Sequence, residues 1–322
     1  MIHSGLHITR NASRDNLAES CHIKFLCSLI EHHNLLVCKV INDATAIHHV
    51  TTKNCSLYLA EFDTITKSMD KIDSLDKING FVSDIRSLRK GYLSNFFLDR
   101  KKHSIWIEKG ELFYVSFPDG YFLLHLTDSV NNLFFLTTTL QQLVGGLKAV
   151  LPILSEQLVV DIVGDGKIAS LKDVFVEQGF SVYEQLYRMS RLGALEYKVS
   201  DVPNVCLAEE ADACVVQDML HTNFDPLSEQ LPCYEEILDF ISRKGVLVYK
   251  EKGKVYGFII FELNGQTLYL RYWFVLPEYR DLKIGSRLFN EFMRAGHATK
   301  RQLFWVIASN ENAIKRYRHY GF

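Results

Sequence analysis

No run of about 18 apolar residues occurs in this 322-residue sequence, so no stretch of it reads as a membrane-spanning helix. The first residues, MIHSGLHITRNASRDN, are polar and lack a basic-then-apolar leader. No Cys-x-x-Cys pair is present among Cys21, Cys27, Cys38, Cys55, Cys206, Cys214 and Cys233. An odd cysteine count without a leader fits a reducing compartment, and a cytoplasmic location is expected. Nor is there a field of one charge: 36 Lys and Arg face 38 Asp and Glu, for a net charge of −2. Neither nucleic acid nor a membrane is an expected partner. The 48% hydrophobic content and the length suffice for two domains, each with its own core.

Metal-ligating clusters are scarce as well. His32-His33 and His48-His49 are the suggestive pairs, but adjacent side chains point apart on a helix or a strand. No cysteine or carboxylate cluster completes a tetrahedral set, so no metal is expected.

What is present is a strand, a turn and a helix between Leu268 and Phe289. An apolar and aromatic run ends in Val275-Leu276-Pro277, a charged turn follows, and the segment opening at Gly285-Ser286 has Leu288, Phe289, Phe292 and Met293 at helical spacing. The first amides of a helix lack intrahelical acceptors and carry the positive end of its dipole, so the turn suits an anion. Arg280, Lys283 and Arg287 add charge there, and Gly285 allows close approach to the backbone. A phosphate or pyrophosphate is the expected guest. At the carboxyl end, the strand-like Leu303 to Ala308 leads to Ser309-Asn310, good N-cap residues, and then to a helix with Ala313, Ile314, Tyr317 and Tyr320 on one side, closed by Gly321.

Two patterns, Val275-x-Pro277-Glu278-Tyr279-Arg280-x-x-Lys283-Ile284-Gly285-Ser286 and Asn310-x-x-Ala313-x-x-x-Tyr317-x-x-x-Gly321-Phe322, resemble the coenzyme A signature and the last helix of the GNAT acyltransferase superfamily. Lys283 stands where that pattern has its first glycine; with its side chain in solvent, an ordinary backbone conformation is expected. The resemblance covers roughly residues 204–322. It implies acetyl-CoA as acyl donor, held at Arg280, Leu282, Lys283, Ile284, Gly285 and Ser286, with main-chain groups of Phe274 and Val275 taking the pantetheine arm and Asn310 a further contact. It also implies transfer of the acetyl group to a primary amine on a small-molecule or peptide acceptor, and it leaves room for a homodimer.

Tyr317 is the candidate general acid, since a phenol with an ordinary pKa near 10 stays protonated at neutral pH. The signature strand offers no glutamate, and Glu262 on the neighbouring strand is the candidate base. Asp225 and Glu229, in the loop Asn223 to Pro232, are candidates for holding a cationic amine. Two alternatives remain: a non-catalytic module binding CoA or a partner, and an acyltransferase using a longer acyl-CoA.

Upstream, apolar positions recur irregularly over Ile23 to Val40. Spacings of three or four over Thr64 to Lys90 predict an amphipathic helix or helix pair broken near Gly80. Strands are expected at Ile105 to Glu108, Leu112 to Phe117, Tyr121 to Leu126 and Leu133 to Thr138, with Pro118-Asp119-Gly120 as a turn. A helix, a strand, a helix ending at Gly179-Phe180 and a last strand follow. The same succession occupies the carboxyl half and ends at Gly321-Phe322, which points to an internal repeat. The fold expected is α+β, with tandem GNAT-like domains, each a mostly antiparallel sheet flanked by helices. Residues 1–200 comprise a helical segment and a degenerate copy without a CoA motif, and residues 201–322 comprise the acetyltransferase copy. Such domains usually continue past Gly-Phe with two strands. Either the chain is truncated or the first domain completes the sheet.

Overall fold

Ser74 accepts a hydrogen bond from the Lys77 amide and so starts the first long helix, α1 (Leu75–Ser87), whose Ile78, Phe81 and Ile85 recur at helical spacing and are buried. The computed structural model describes residues 3–10, 39–41, 47–49, 69–154, 157–164, 168–193 and 203–322. His32-His33, Cys21, Cys27, Cys38, Cys55, residues 64–68 and most of Ile23 to Val40 lie outside the described residues, as do residues 194–202, within which the boundary expected between residues 200 and 201 falls. Before α1 come strands β1 (His3–Arg10), β2 (Lys39–Ile41), β3 (Ile47–His49) and β4 (Asp70–Lys71). The helix passes through Gly80 without a break, because a single glycine in a helix with a buried apolar stripe costs only about 1 kcal/mol.

The chain forms two compact units, one of Met1–Ile8, Asp161–Asp173 and Val182–Phe322, the other of Thr9–Val160 and Val174–Ser181. In the second, β5 (Leu93–Ser94) and helix α2 (Arg100–Glu108) precede a meander of β6 (Leu112–Phe117), β7 (Gly120–Leu126) and β8 (Asn131–Thr137). Residues 105–108 are therefore helical and not a strand. Asp99 caps the amides of Lys101 and Lys102, and His103 and Trp106, one turn apart, both turn inward, so a cap and an apolar stripe outweigh a short run of strand formers. Helix α3 (Leu140–Val150) follows β8, and β9 (Leu158–Gly164) then pairs parallel with β8 at Asn131↔Leu158 and Asn132↔Val159. The core joins Ile78, Phe81 and Trp106 of the helices to Leu123 and Phe134 of the sheet.

After α4 (Ile168–Glu177), the other unit takes up β10 (Ser181–Leu192), β11 (Val205–Leu207), α5 (Ala213–Asn223), α6 (Tyr234–Ser242), β12 (Val246–Glu251), β13 (Lys254–Asn264), β14 (Thr267–Val275), α7 (Ile284–Ala295), β15 (Arg301–Ile307) and α8 (Glu311–His319). Its strands run in the order β11-β12-β13-β14-β15-β10-β1. Neighbours are antiparallel along β11 to β14, and β14 and β15 are parallel. Helices α5 and α6 cover one face through Val216, Leu220, Ile237 and Phe240. Helices α7 and α8 cover the other through Leu288, Phe289, Phe292 and Ile314, each fully buried side chain of this size being worth about 1.5–3 kcal/mol.

A three-stranded meander, a helix, a parallel fourth strand and a second helix therefore occur twice, as the repeat predicts. Beside β15 lies β10, paired antiparallel from Leu186↔Ile307 to Leu192↔Arg301, so residues immediately upstream of the carboxyl-terminal copy occupy the outer edge of β15. Both copies are mixed αβ layers with an open, mixed sheet.

Candidate active site

Strand β14 carries one residue more than its partner can match. Ile260 faces Tyr272 while Phe261 faces Leu270, so Arg271 is a bulge. The bulge reverses the alternation of the strand. Leu268 and Leu270 face α7 and α8, and past the bulge the residues on that face are Trp273 and Val275, while Tyr272 and Phe274 turn to the α5 and α6 side. On its other edge, β14 pairs with β15 only from Thr267↔Arg301 to Tyr269↔Leu303. Past these residues the strands part, and among the described residues the facing edges share no ladder. Tyr317 of α8 spans the gap: its ring lies 4.0 Å from that of Phe304 on β15 and 5.8 Å from that of Trp273 on β14.

The end of β14 leads through a 3-10 turn, Pro277–Leu282, to Lys283 and then α7. Lys283 has φ 60 and ψ 16, in the left-handed region, contrary to the ordinary conformation expected of it. A sharp turn into the helix requires the conformation that a glycine supplies at least cost, and the lysine adopts it. The helix starts at Ile284, one residue before the expected Gly285. The α7 helix has no side-chain cap, whereas α1, α3 and α8 are capped by Ser74, Thr139 and Asn310. The first amide of α7 to bond back is that of Arg287, to the Lys283 carbonyl. The amides of Ile284, Gly285 and Ser286 are left for a guest.

Gly285 and Ser286 at this helix start line a cavity of about 400 Å³. Its lining comprises Val275 at the end of β14, Arg280, Asp281, Lys283, Gly285 and Ser286 from the turn and helix start, Arg316 and His319 from α8, and Tyr320 at the C-cap of α8. Arg280 donates from Nε to the Val275 carbonyl at 3.3 Å, which folds it back over the end of β14. Close approach at Gly285 is made by this protein's own Trp273: a Cβ there would sit 3.3 Å from Cζ2 of the indole. Five of the residues expected at a CoA turn and its strand, Val275, Arg280, Lys283, Gly285 and Ser286, thus meet at one cavity. Three others do not line it. Ile284 is buried beneath it, Leu282 is exposed at 58%, and Phe274 points to the opposite face of the sheet. The Asn310 side-chain oxygen is occupied as the cap of α8, accepting from the Ala313 amide at 3.1 Å. His319 and the C-cap residue Tyr320 lie three and four residues after Arg316, about one helical turn, but nothing in the sequence says that this face borders the turn.

Burial, and secondarily the Glu229 carboxylate, holds the Tyr317 phenol well above its ordinary pKa. Glu229 acts in the same direction on Tyr272, whose hydroxyl donates to the Gln230 carbonyl at 2.6 Å. The loop is pinned further by Gln230 Nε2 to Asp161 Oδ2 at 2.5 Å and by the Tyr183 hydroxyl to Asp225 Oδ2 at 2.8 Å. Asp225 also accepts from the Leu227 amide, so its carboxylate is engaged in holding the loop. Glu262, buried, receives Arg271 Nε at 2.6 Å and Asn264 Nδ2 at 3.0 Å. It stands opposite Tyr269, four residues and roughly 13 Å along the strand from Trp273, so it is not gathered with Tyr317. Among the described residues no group of His, Cys, Asp and Glu could hold a metal ion, and no helix is long and apolar enough to cross a membrane.

The site is thus framed by an open mixed sheet whose parallel pair splays over an uncapped helix start. Residues 216–322 match the family model "Acetyltransferase (GNAT) family", and this part of the chain is a GNAT domain. Among solved structures, a fungal multi-domain GH3 β-N-acetylglucosaminidase with a GCN5-related glucosamine N-acetyltransferase region is 15% identical, with a TM-score of 0.50 over 77% of this chain and 36% of that one. That coverage extends the likeness of fold well upstream of residue 216. A Mycobacterium tuberculosis protein in complex with CoA and NLQ is 14% identical, with a TM-score of 0.32 over 36% of this chain and 70% of that one. The diaminobutyrate acetyltransferase EctA of Paenibacillus lautus, in complex with L-2,4-diaminobutyric acid and coenzyme A, is 18% identical, with a TM-score of 0.31 over 41% and 74%. A search of curated proteins found no match.

Proposed function

We propose that residues 201–322 form an N-acetyltransferase that moves the acetyl group of acetyl-CoA to a primary amine on a small-molecule or peptide acceptor, and that residues 1–200 contribute a copy without a donor site. The observation that carries this reading is the uncapped start of α7 beside Arg280 and Lys283, at the mouth of the gap that Tyr317 spans. The diphosphate of the donor would lie on the amides of Ile284, Gly285 and Ser286, with the two cations beside it. The pantetheine arm would run along the free edge of β14 at Phe274 and Val275.

In the reaction the amine nitrogen attacks the thioester carbonyl. The C–N bond forms, the C–S bond breaks, the amine gives up a proton and the thiolate leaves. Tyr317, kept protonated by its surroundings, gives its hydroxyl proton to that thiolate. For the proton of the amine there are two carboxylates. Glu229 acts electrostatically on Tyr317, and it would also attract a cationic acceptor. Glu262, tied to Arg271, would take a proton only by relay through water. Asp225 shapes the acceptor loop.

Calorimetric titration of the full chain with CoA, followed by thiol release from acetyl-CoA over a panel of amines, tests the reading. Binding in the micromolar range and amine-dependent release are expected. Failure to bind CoA would overturn it, and binding without release for any amine would leave a CoA-binding module in its place.

A further inference from the structure

The cavity at α7 has a second wall that the donor's diphosphate does not need. On α8, Arg316 and His319 are one turn apart and both line the cavity opposite the turn. The Arg316 guanidinium lies 5.7 Å from the centre of the Trp273 ring, a contact that restrains its side chain. Elsewhere in the same unit, Arg243, Lys250, Arg271 and Arg294 each have an acidic partner. Among the described residues, Arg280, Lys283 and Arg316 form no ion pair. Cations gathered around a cavity without counter-ions repel one another, and an anionic guest removes that cost.

The charge of the guest decides which one. Arg280, Lys283 and the helix start, worth about +0.5, oppose Asp281 on the turn wall, and Arg316 adds one more charge from α8. The walls thus carry about +2.5 before His319 is protonated. A phosphodiester of about −1, as in phosphopantetheine carried on a protein, would leave most of this unbalanced. A diphosphate satisfies the turn wall alone. A phosphomonoester brings about −1.5 to −2 more and three acceptor oxygens, which suits an arginine and a histidine side by side.

Resting on the donor reading above, we infer that the Arg316 and His319 face of α8 binds the 3′-phosphate of coenzyme A. The protein then selects free CoA thioesters over dephospho-CoA and over phosphopantetheine thioesters tethered to a carrier protein. The full chain and its Arg316→Gln and His319→Gln variants are titrated calorimetrically with CoA, dephospho-CoA and a carrier protein bearing phosphopantetheine, with circular dichroism as the check on folding. The wild type should bind CoA at least tenfold more tightly than dephospho-CoA and more tightly still than the phosphopantetheine-bearing carrier. Arg316→Gln should bind the first two within twofold of each other, at the wild-type dephospho-CoA level, and His319→Gln should lie between. A wild type that binds CoA and dephospho-CoA alike, or an Arg316→Gln variant that keeps the full preference, overturns this inference while the donor site stands. A wild type that binds none of the three overturns the donor reading with it.

Discussion

Thr139 and Lys283 occupy the same point of the two repeats, the N-cap of the helix that follows the third strand of the meander, and they treat the helix start in opposite ways. Thr139 closes it, its hydroxyl accepting from the Gln142 amide at 3.2 Å. Lys283 leaves it open, since a left-handed lysine cannot place a side-chain oxygen over the amides. One copy is thus sealed by its own residue, and the other keeps three amides for a ligand. On the function proposed above, this difference is what would confine the donor site to one copy.

The left-handed Lys283 makes a stability prediction. Lys283→Ala and Lys283→Gly remove the same charge, so they should weaken CoA binding equally. Their difference in stability reports the backbone alone, and glycine should exceed alanine by about 1 kcal/mol in urea unfolding. Equal midpoints would mean that the turn relaxes out of the left-handed region.

Glu262 and Arg271 form a pair in which the carboxylate side chain is 7% exposed and the guanidinium side chain 28%. Removing one partner of a buried pair costs about 3–5 kcal/mol, and the partial exposure of Arg271 reduces this to about 2–3 kcal/mol for Arg271→Leu. The double change Arg271→Leu with Glu262→Leu should recover most of the loss, because no charge is then left uncompensated. Urea midpoints of the four proteins check this, and additive losses would show that the two residues do not act as a pair.

What could be read from the sequence followed local pattern. The strand, turn and helix around Arg280, the capped helix at Asn310 and the succession repeated in the two halves all rest on periodicity and capping, which neighbouring residues determine. Residues 105–108 misled because Ile105, Trp106 and Ile107 are strand formers, while the decisive Asp99 cap lies outside the run. The bulge at Arg271, the backbone of Lys283 and the approach of Arg316 to the turn depend on how strands and helices meet. No spacing in the chain encodes that meeting, and so the second cationic wall of the cavity was not visible.

His103 and His125 make the amino-terminal copy acid-sensitive. Burial, then Lys102, lowers the pKa of His103 from 6.5 to about 4. Burial, then Lys102, His103 and Lys109, lowers that of His125 to about 3. Glu111 stands 3.2 Å from His125 Nε2 and would favour the charged ring, but the ring is stacked 3.6 Å from Trp106 with Nδ1 buried and unpartnered, and the cost of burying the charge prevails. Both groups bind protons more readily unfolded than folded. The stability they allow is intact above about pH 6.5 and is lost progressively as the pH falls toward 4. Between pH 7 and 4.5 the wild type should lose more stability in urea unfolding than His125→Phe, and parallel losses would remove His125 from the effect.

Tyr317 provides the last test, because its ring and its hydroxyl have separate work. The ring fills the space between Phe304 and Trp273, and a phenylalanine would keep both contacts, so Tyr317→Phe should fold normally and bind CoA within twofold of the wild type. The hydroxyl alone can protonate a leaving thiolate, and a positioned acid contributes about 10² to 10⁴ in rate. Turnover of acetyl-CoA should therefore fall at least a hundredfold with the affinity unchanged, the mark of an interaction made in the transition state alone. Because burial raises the phenol above its ordinary pKa, loss of its proton should leave no inflection in the wild-type rate up to pH 10. A Tyr317→Phe variant with wild-type turnover would reduce the residue to a packing role between the two diverging strands.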